Sequence, residues 1–477
     1  MSDMRIRSRE TALAAALAIG AITLAAPASG QTITPVDIPA SYGIGTMGGT
    51  IQGWIVNNDA SQIRQRGWQV WAGLNAASGQ SYNGTALPVW ETWLGTEELF
   101  GSGAVSTAVA CGTTSGTVQA ASGPKAPPRS FINPNQFSHL GRMATAKGAK
   151  AATAPTPADS QVSSFNKFSP SAACYIASPQ TVVGLHGTYT VNSQKGLNAL
   201  NAAFTAANAP VNVRSTNDFP TDALELKPVF GVVKSTSLTP MPMWQGNTPG
   251  TNTNATNPTP DTWKTCVLID PTATGNTVQP ATQQQAQAGL AAAQAAGLAC
   301  TNFLYGPLTL FYNFAMSAAE ATAIAQTQGL SNVAAGDYAV LLAMHVSSKE
   351  MPFWTWQTFY WQPGADTPNQ FPGYKSDAPS SLPAPFNNYA MCTAYSQTTT
   401  YNGTTVAVCF NPYLETSPGI PAGITSNCMS CHGLAGVGTG PTYPASYTAP
   451  INFFANSTYF NNQSTRTDFS WAVAGSQ

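Results

Sequence analysis

The residues best suited to chemistry form the run Cys428-Met429-Ser430-Cys431-His432. Two cysteines three positions apart share one face of a helical turn, so both sulfurs can reach the two vinyl groups on one porphyrin edge. The histidine after the second cysteine projects its imidazole towards the iron. This C-x-x-C-H spacing is the attachment sequence for c-type haem. It predicts one covalent, iron-containing haem c, held through Cys428, Cys431 and the iron ligand His432.

Two other uses of the same residues stay open at this point. The thiols of Cys428 and Cys431 could form disulfides, with His432 incidental, or the group could belong to a zinc site. Zinc is the weaker alternative, because no second Cys/His pair with zinc spacing occurs in the sequence. The spacing therefore favours haem.

The second axial ligand of such a haem must come from elsewhere, because none of the 45 residues after His432 is Met or His. His345 is the first candidate as distal ligand or distal-pocket residue. It ends an apolar strand and precedes the aromatic run 352–361, which could wall a haem pocket. The other candidates are His186, His139, Met344, Met351 and Met391. An iron that is open or ligated by water is the remaining alternative.

The hydrophobic pattern elsewhere predicts the elements that position these residues. Helical periodicity covers 63–74, 197–207, 281–296 and 318–328, and strand patterns cover 224–233, 338–346 and 352–361. Pro228 suggests an edge or a bulge in the first of these strands. The mixture predicts an α+β fold with a largely antiparallel β core and short helices, joined by a small C-terminal helical haem-binding segment.

Composition divides the chain into segments. Residues 1–30 read as a Sec-type signal peptide, with early arginines, an apolar run and small residues. Residues 31–411 form the α+β body, and residues 412–477 form the haem-binding segment packed on it. Within the body, residues 113–163 are rich in Gly, Ser, Ala and Pro and predict a flexible loop. Its basic residues, Arg129 among them, favour a solvated loop over a docking site for an acidic partner.

Charged residues make up only 8% of the chain, and the net charge is −1. A chain with so little positive charge has no electrostatic bias towards nucleic acid, so we expect no nucleic-acid partner. No stretch after the signal is long and apolar enough to predict a membrane span. The mature protein is therefore expected in the periplasm or outside the cell.

Six further cysteines fit an oxidising compartment and predict three disulfides, for which fifteen pairings are possible. The interpretation that we favour joins neighbours in sequence: Cys111–Cys174, Cys266–Cys300 and Cys392–Cys409. Buried free thiols are the alternative.

Two acidic residues in aromatic surroundings, Glu91 and Glu350, could move protons if they lay beside a haem. Hydrogen-bonded structure is the expectation that we favour for both. In helix 63–74, we expect Arg64 and Arg66 to point outward, and Trp68 and Trp71 to share the buried face.

The segment SNCMSCHGLAG resembles the haem-binding turn of c-type cytochromes. HGTY, LELKPVF, MHVSSKEMPFWTWQTF and TDFSWAV are similar to segments of large, secreted, single-haem bacterial cytochrome-like proteins without an assigned function. The resemblance implies haem iron held by His432, thioethers at Cys428 and Cys431, and electron transfer with a redox partner protein or a small-molecule donor or acceptor.

The second ligand then decides between functions. Two protein ligands favour outer-sphere electron transfer, whereas an open position permits catalysis by a peroxidase- or oxygenase-like haem enzyme. The large body favours an enzyme, while the single C-x-x-C-H motif argues against the familiar multi-haem enzymes. A binding module with a structural haem is the third hypothesis.

Overall fold

The computed structural model describes residues 33–57, 59–100, 104–112, 129, 131, 163–246, 259–364, 371, 375–395, 409–416, 428–438 and 465–475. The expected signal peptide, His139 and most of the 113–163 segment lie outside these residues. Among the described residues, no helix has both the length and the apolar character needed to cross a membrane.

The described α-helices are α1 Gly48–Val56, α2 Ala60–Leu74, α3 Thr96–Leu99, α4 Thr107–Ala110, α5 Pro170–Ala177, α6 Gln194–Ala206, α7 Gln283–Ala295, α8 Ala318–Gln328, α9 Cys428–His432 and α10 Trp471–Ala474. Short 3-10 helices occupy Ala40–Tyr42, Val89–Thr92, Val211–Val213, Pro260–Thr262, Leu308–Leu310 and Phe386–Asn388.

The described strands are β1 Ala77–Tyr82, β2 Thr85–Pro88, β3 Leu94–Gly95, β4 Ser163–Ser164, β5 Lys167–Phe168, β6 Leu224–Val233, β7 Thr239–Pro242, β8 Thr265–Asp270, β9 Gln279–Pro280, β10 Asn302–Pro307, β11 Asn313–Ala315, β12 Tyr338–Ser348, β13 Thr355–Trp361, β14 Tyr389–Tyr395, β15 Gly436–Val437 and β16 Thr465–Arg466. The expected α+β class is confirmed, since helices accompany mostly antiparallel sheets.

An antiparallel central sheet organises the body, with the strand order β14-β13-β12-β6-β5-β3. Strand β11 pairs beside β12, and β4 pairs beside β6. A second sheet has the order β7-β8-β10-β9, and its β8 and β10 run parallel, with α7 in the connection between them. Its buried side chains Val267 and Ile269 join the same hydrophobic cluster as the central sheet.

Helix α2 covers one face of the central sheet. The side chain of Asp59 accepts a hydrogen bond from the backbone of Gln62 and so caps the helix. Trp71 stacks on Phe359 of β13 with ring centroids 4.2 Å apart, and Trp68 meets the same ring edge-on at 5.5 Å. Full burial of aromatic side chains of this size contributes about 2–3 kcal/mol each, which anchors α2 to this face.

Two expectations about arginines are wrong. Arg66 does not point outward: its side chain is buried, and its guanidinium lies 2.5 Å from the carboxylate of Glu350. Arg129 is not solvated either, since its side chain is fully buried against Glu91. In both positions an ion pair with additional hydrogen bonds offsets the cost of removing the guanidinium from water, a compensation that composition does not reveal.

Strand β6 contains Pro228 in its interior, and the sheet accommodates it with an irregularity. The register with β12 shifts between Leu341 and Ala343, which lie opposite Phe230 and Val229. Proline cannot donate to a ladder, so a bulge next to it is the expected accommodation. The predicted bulge is confirmed, whereas the alternative of an edge strand is wrong because β6 pairs on both sides.

The described residues contain three disulfides, and they join the pairs expected from the sequence: Cys111–Cys174, Cys266–Cys300 and Cys392–Cys409. The first links α4 to α5, the second links β8 to the end of the α7 connection, and the third ties β14 to the segment 409–416. Each one therefore joins elements that are already packed side by side.

Candidate functional site

The C-x-x-C-H run forms the single helical turn α9, which packs on β13 and β14. The indole of Trp356 on β13 lies against the imidazole of His432, with ring centroids 4.4 Å apart. Trp356 and Phe359 are three positions apart on one strand, so they point to opposite faces. Since Phe359 faces α2, α9 must lie on the other face of the central sheet. We call this the α9 face.

The imidazole of His432 is oriented by a backbone carbonyl. Its Nδ1 lies 2.9 Å from the oxygen of Phe469. Because a carbonyl can only accept, Nδ1 carries the proton and donates it. Because Nδ1 carries the proton, the lone pair of Nε2 is available to a metal.

The carbonyl of Phe469 is aimed by an unusual backbone. Asp468 and Phe469 both have positive φ angles, 44° and 68°, a region that non-glycine residues rarely adopt. The contacts of Asp468 offset part of this strain. Its carboxylate accepts a hydrogen bond from the backbone N–H of Phe219 at 2.8 Å and lies 2.6 Å from Nζ of Lys349. Strained backbone that is held by its surroundings is a common feature of functional sites.

The electrostatic surroundings keep His432 neutral. Burial, together with the nearby side chains of His345 and Lys227, lowers the pKa of His432 to about 4, whereas the hydrogen bond to Phe469 opposes the shift. The imidazole is therefore neutral near pH 7, which is the form that ligates a metal.

A row of directly paired residues crosses the central sheet and includes His345. Lys227 of β6 pairs with His345 of β12, His345 pairs with Thr358 of β13, and Thr358 pairs with Cys392 of β14. Directly paired residues project to the same face. Since Thr358 shares a face with Trp356, the row lies on the α9 face. With strands about 4.8 Å apart, His345 is about 10 Å from the strand that carries Cys392.

Cys392 continues the row to the motif. It is bonded to Cys409, and the backbone oxygen of Cys409 lies 3.8 Å from the sulfur of Cys428. The sheet register and one disulfide thus place His345 and the start of α9 on the same face of the central sheet. The side chain of Cys431 lies outside the described residues.

The Nε2 atom of His345 is in an unfavourable environment. Its Nε2 is buried and has no aligned hydrogen-bond partner among the described residues, although it lies 3.0 Å from a carboxylate oxygen of Glu415. A buried nitrogen without an aligned partner is costly unless something else satisfies it. An iron ligated by Nε2 would do so.

The sequence-based alternatives to His345 lie elsewhere. Met344 and Met391 both pair with Phe359 and therefore face α2, on the opposite side of the sheet from His432. Met351 packs in a separate cluster with Ile51, Ile55 and Ile63. His186 is exposed at a turn between α5 and α6, and His139 is outside the described residues.

The two acidic residues noted in the sequence are structural. Glu91 accepts a paired set of hydrogen bonds from Arg129, at 3.0 and 2.9 Å, and one from Tyr312 at 2.6 Å. Glu350 forms a buried ion pair with Arg66. Glu415 and Phe469, by contrast, were missed by sequence reasoning, since no motif marks a carboxylate or a carbonyl that acts through tertiary contact.

The donor types at this site are those that a c-type haem would require. The site combines a histidine with the correct tautomer, a cysteine on the same helical turn and a second imidazole on the same sheet face. At this site and elsewhere, the described part of the chain has no cluster of three or more His, Cys, Asp or Glu side chains that could hold a metal ion by itself. Comparisons with protein-family models, with curated proteins and with solved structures found no match.

Proposed function

We propose that the chain carries one covalent haem c and transfers single electrons. The observation that carries this proposal is the contact of His432 Nδ1 with the carbonyl of Phe469, because it leaves Nε2 of a neutral imidazole for iron. Thioether bonds at Cys428 and Cys431 would hold the porphyrin, and haem supplies a reversible one-electron couple when it is bound.

In this proposal, His345 would be the second protein ligand that holds the iron. It shares the α9 face with His432, and its buried Nε2 has no aligned partner among the described residues. Two histidine ligands hold iron six-coordinate, which favours outer-sphere electron transfer over binding of a substrate. The redox partner would be a protein or a small molecule outside the cytoplasm, with which the three disulfides are compatible.

The first experiment measures haem attachment. The chain, secreted by a host with c-haem maturation machinery, should gain the mass of one haem, and the double variant Cys428→Ala/Cys431→Ala should not. His345→Ala should convert a low-spin spectrum to one that responds to carbon monoxide. A mature wild-type chain without haem mass would overturn the proposal.

A haem enzyme is the second candidate, and one observation favours it. The carboxylate of Glu415 beside the imidazole of His345 resembles an acid–base pair that could move protons at an open iron. A wild-type protein that is high-spin, binds carbon monoxide and turns over peroxide would favour this candidate over electron transfer.

A further inference from the structure

The carboxylate of Glu415 lies beside the imidazole of His345. One carboxylate oxygen of Glu415 is 3.0 Å from His345 Nε2, and the two side chains are only 17% and 18% exposed. The two atoms are in contact but are not aligned for a hydrogen bond. A contact of this kind restrains the ring without saturating the nitrogen.

The position of Glu415 is itself fixed by the chain around it. Its second oxygen accepts a hydrogen bond from the backbone N–H of Asn411. The side-chain amide of Asn411 donates to Thr358 Oγ1 at 2.7 Å and to the carbonyl of Phe359 at 3.1 Å. Thr358 is the direct cross-strand partner of His345. The segment that carries the carboxylate is therefore fastened to the strand next to the histidine.

The disulfide Cys392–Cys409 fastens the same segment a second time. Cys392 belongs to the row that contains His345, and Cys409 lies six positions before Glu415. The segment has only eight described residues, and two attachments hold it: the hydrogen bonds of Asn411 and the disulfide. Together they fix the position of the Glu415 carboxylate.

We propose that Glu415 is a positioning residue that orients His345 for haem iron and leaves a negative charge beside that ligand. This inference rests on the proposed function. His345 Nε2 would hold the iron in place of its weak contact with the carboxylate, and the fixed segment would keep the carboxylate beside the ligand. Lys227, the other direct neighbour of His345 along the row, supplies the opposite charge.

A negative charge close to iron stabilises the ferric state relative to the ferrous state. Glu415→Gln keeps the shape of the side chain and removes the charge. The haem-loaded variant should therefore have a more positive midpoint potential than wild type in a spectroelectrochemical titration, while it remains low-spin. Glu415→Asp, which keeps the charge, should remain closer to wild type than Glu415→Gln.

Asp377→Asn is the matched control. This carboxylate pairs with Arg64 of α2, on the opposite side of the sheet, and has a similar exposure of 19%. Its removal takes away one negative charge at greater distance, so the potential should stay near that of wild type. Equal potentials for Glu415→Gln and Asp377→Asn would overturn the inference.

A measurement without haem separates this inference from the proposed function. The chain has four histidines, so nitrogen-15 histidine labelling of the Cys428→Ala/Cys431→Ala variant gives a simple spectrum. Adding Glu415→Gln should shift the His345 ring resonances and leave those of His186 unchanged. An unshifted His345 would overturn the inference by contradicting the contact itself, whereas missing haem in wild type would overturn the proposed function and leave the contact standing.

Discussion

Nδ1 of His432 lies 2.9 Å from the carbonyl oxygen of Phe469, although the two residues are 37 positions apart. The turn that presents this carbonyl has two consecutive non-glycine residues with positive φ. Its buried anchor is Asp468, which contacts Lys349 and the backbone of Phe219. The orientation of the predicted iron ligand thus depends on a buried ion pair outside its own helix.

Asp468→Ala should weaken both the fold and the site. The substitution leaves Lys349 buried without its carboxylate, and breaking such a pair costs about 3–5 kcal/mol. Urea unfolding should show this loss, and the haem spectrum should gain a high-spin component as the Phe469 carbonyl loses its support. Asp337→Ala, which breaks the ion pair with Lys234 away from α9, is the control. It should lower stability and leave the spectrum unchanged.

Arg129 should be one of the most sensitive positions in the body. Its guanidinium is fully buried and pairs with Glu91, so Arg129→Ala leaves a buried carboxylate unpaired and should cost about 3–5 kcal/mol. Arg64→Ala removes an ion pair in which both partners are partly exposed and should cost at most about 1 kcal/mol. Similar midpoints in denaturant for the two variants would contradict this assignment.

Stability should fall as pH rises through neutrality. Burial raises the pKa of Glu225 to about 7, and burial raises that of Asp468 to about 6. A folded-state pKa above the unfolded value makes folding most favourable when the group is protonated, so its contribution is lost as pH rises through the folded pKa. His432, whose pKa is lowered, has the opposite effect below about pH 6.5.

The variant Glu225→Gln isolates the first of these groups. It keeps an uncharged side chain opposite Ser470, so its melting temperature should fall less than that of wild type between about pH 6 and pH 8. Parallel curves for the two proteins would show that Glu225 does not titrate in this range.

Loss of the Cys392–Cys409 disulfide should act on the site as well as on stability. Removing a native bridge of this loop length costs about 2–4 kcal/mol, and this bridge also holds the segment that carries Glu415. The double variant Cys392→Ala/Cys409→Ala should therefore melt earlier and show an altered haem spectrum.

Cys266→Ala/Cys300→Ala provides the comparison, because that bridge belongs to the second sheet. It should lower the melting temperature and leave the spectrum as it is. A changed spectrum in this variant would mean that global loosening, rather than the segment 409–416, explains the effect at α9.

The sequence by itself determined the features that depend on nearby residues. Helix α8 has the predicted bounds because a Ser317 cap and a regular pattern define them locally. The C-x-x-C-H run forms a helical turn, and all three disulfides join cysteines adjacent in the series.

Only the tertiary structure decided which face meets which element. Met344 and His345 are neighbours in sequence, yet one packs towards α2 and the other lies on the face of His432. The alternation of side chains along a strand predicts that such neighbours lie on opposite faces of the sheet. It does not predict which element covers each face, because that depends on the packing of segments far apart in the chain. For the same reason, the burial of Arg129 and the approach of Glu415 and Phe469 became visible only in the folded protein.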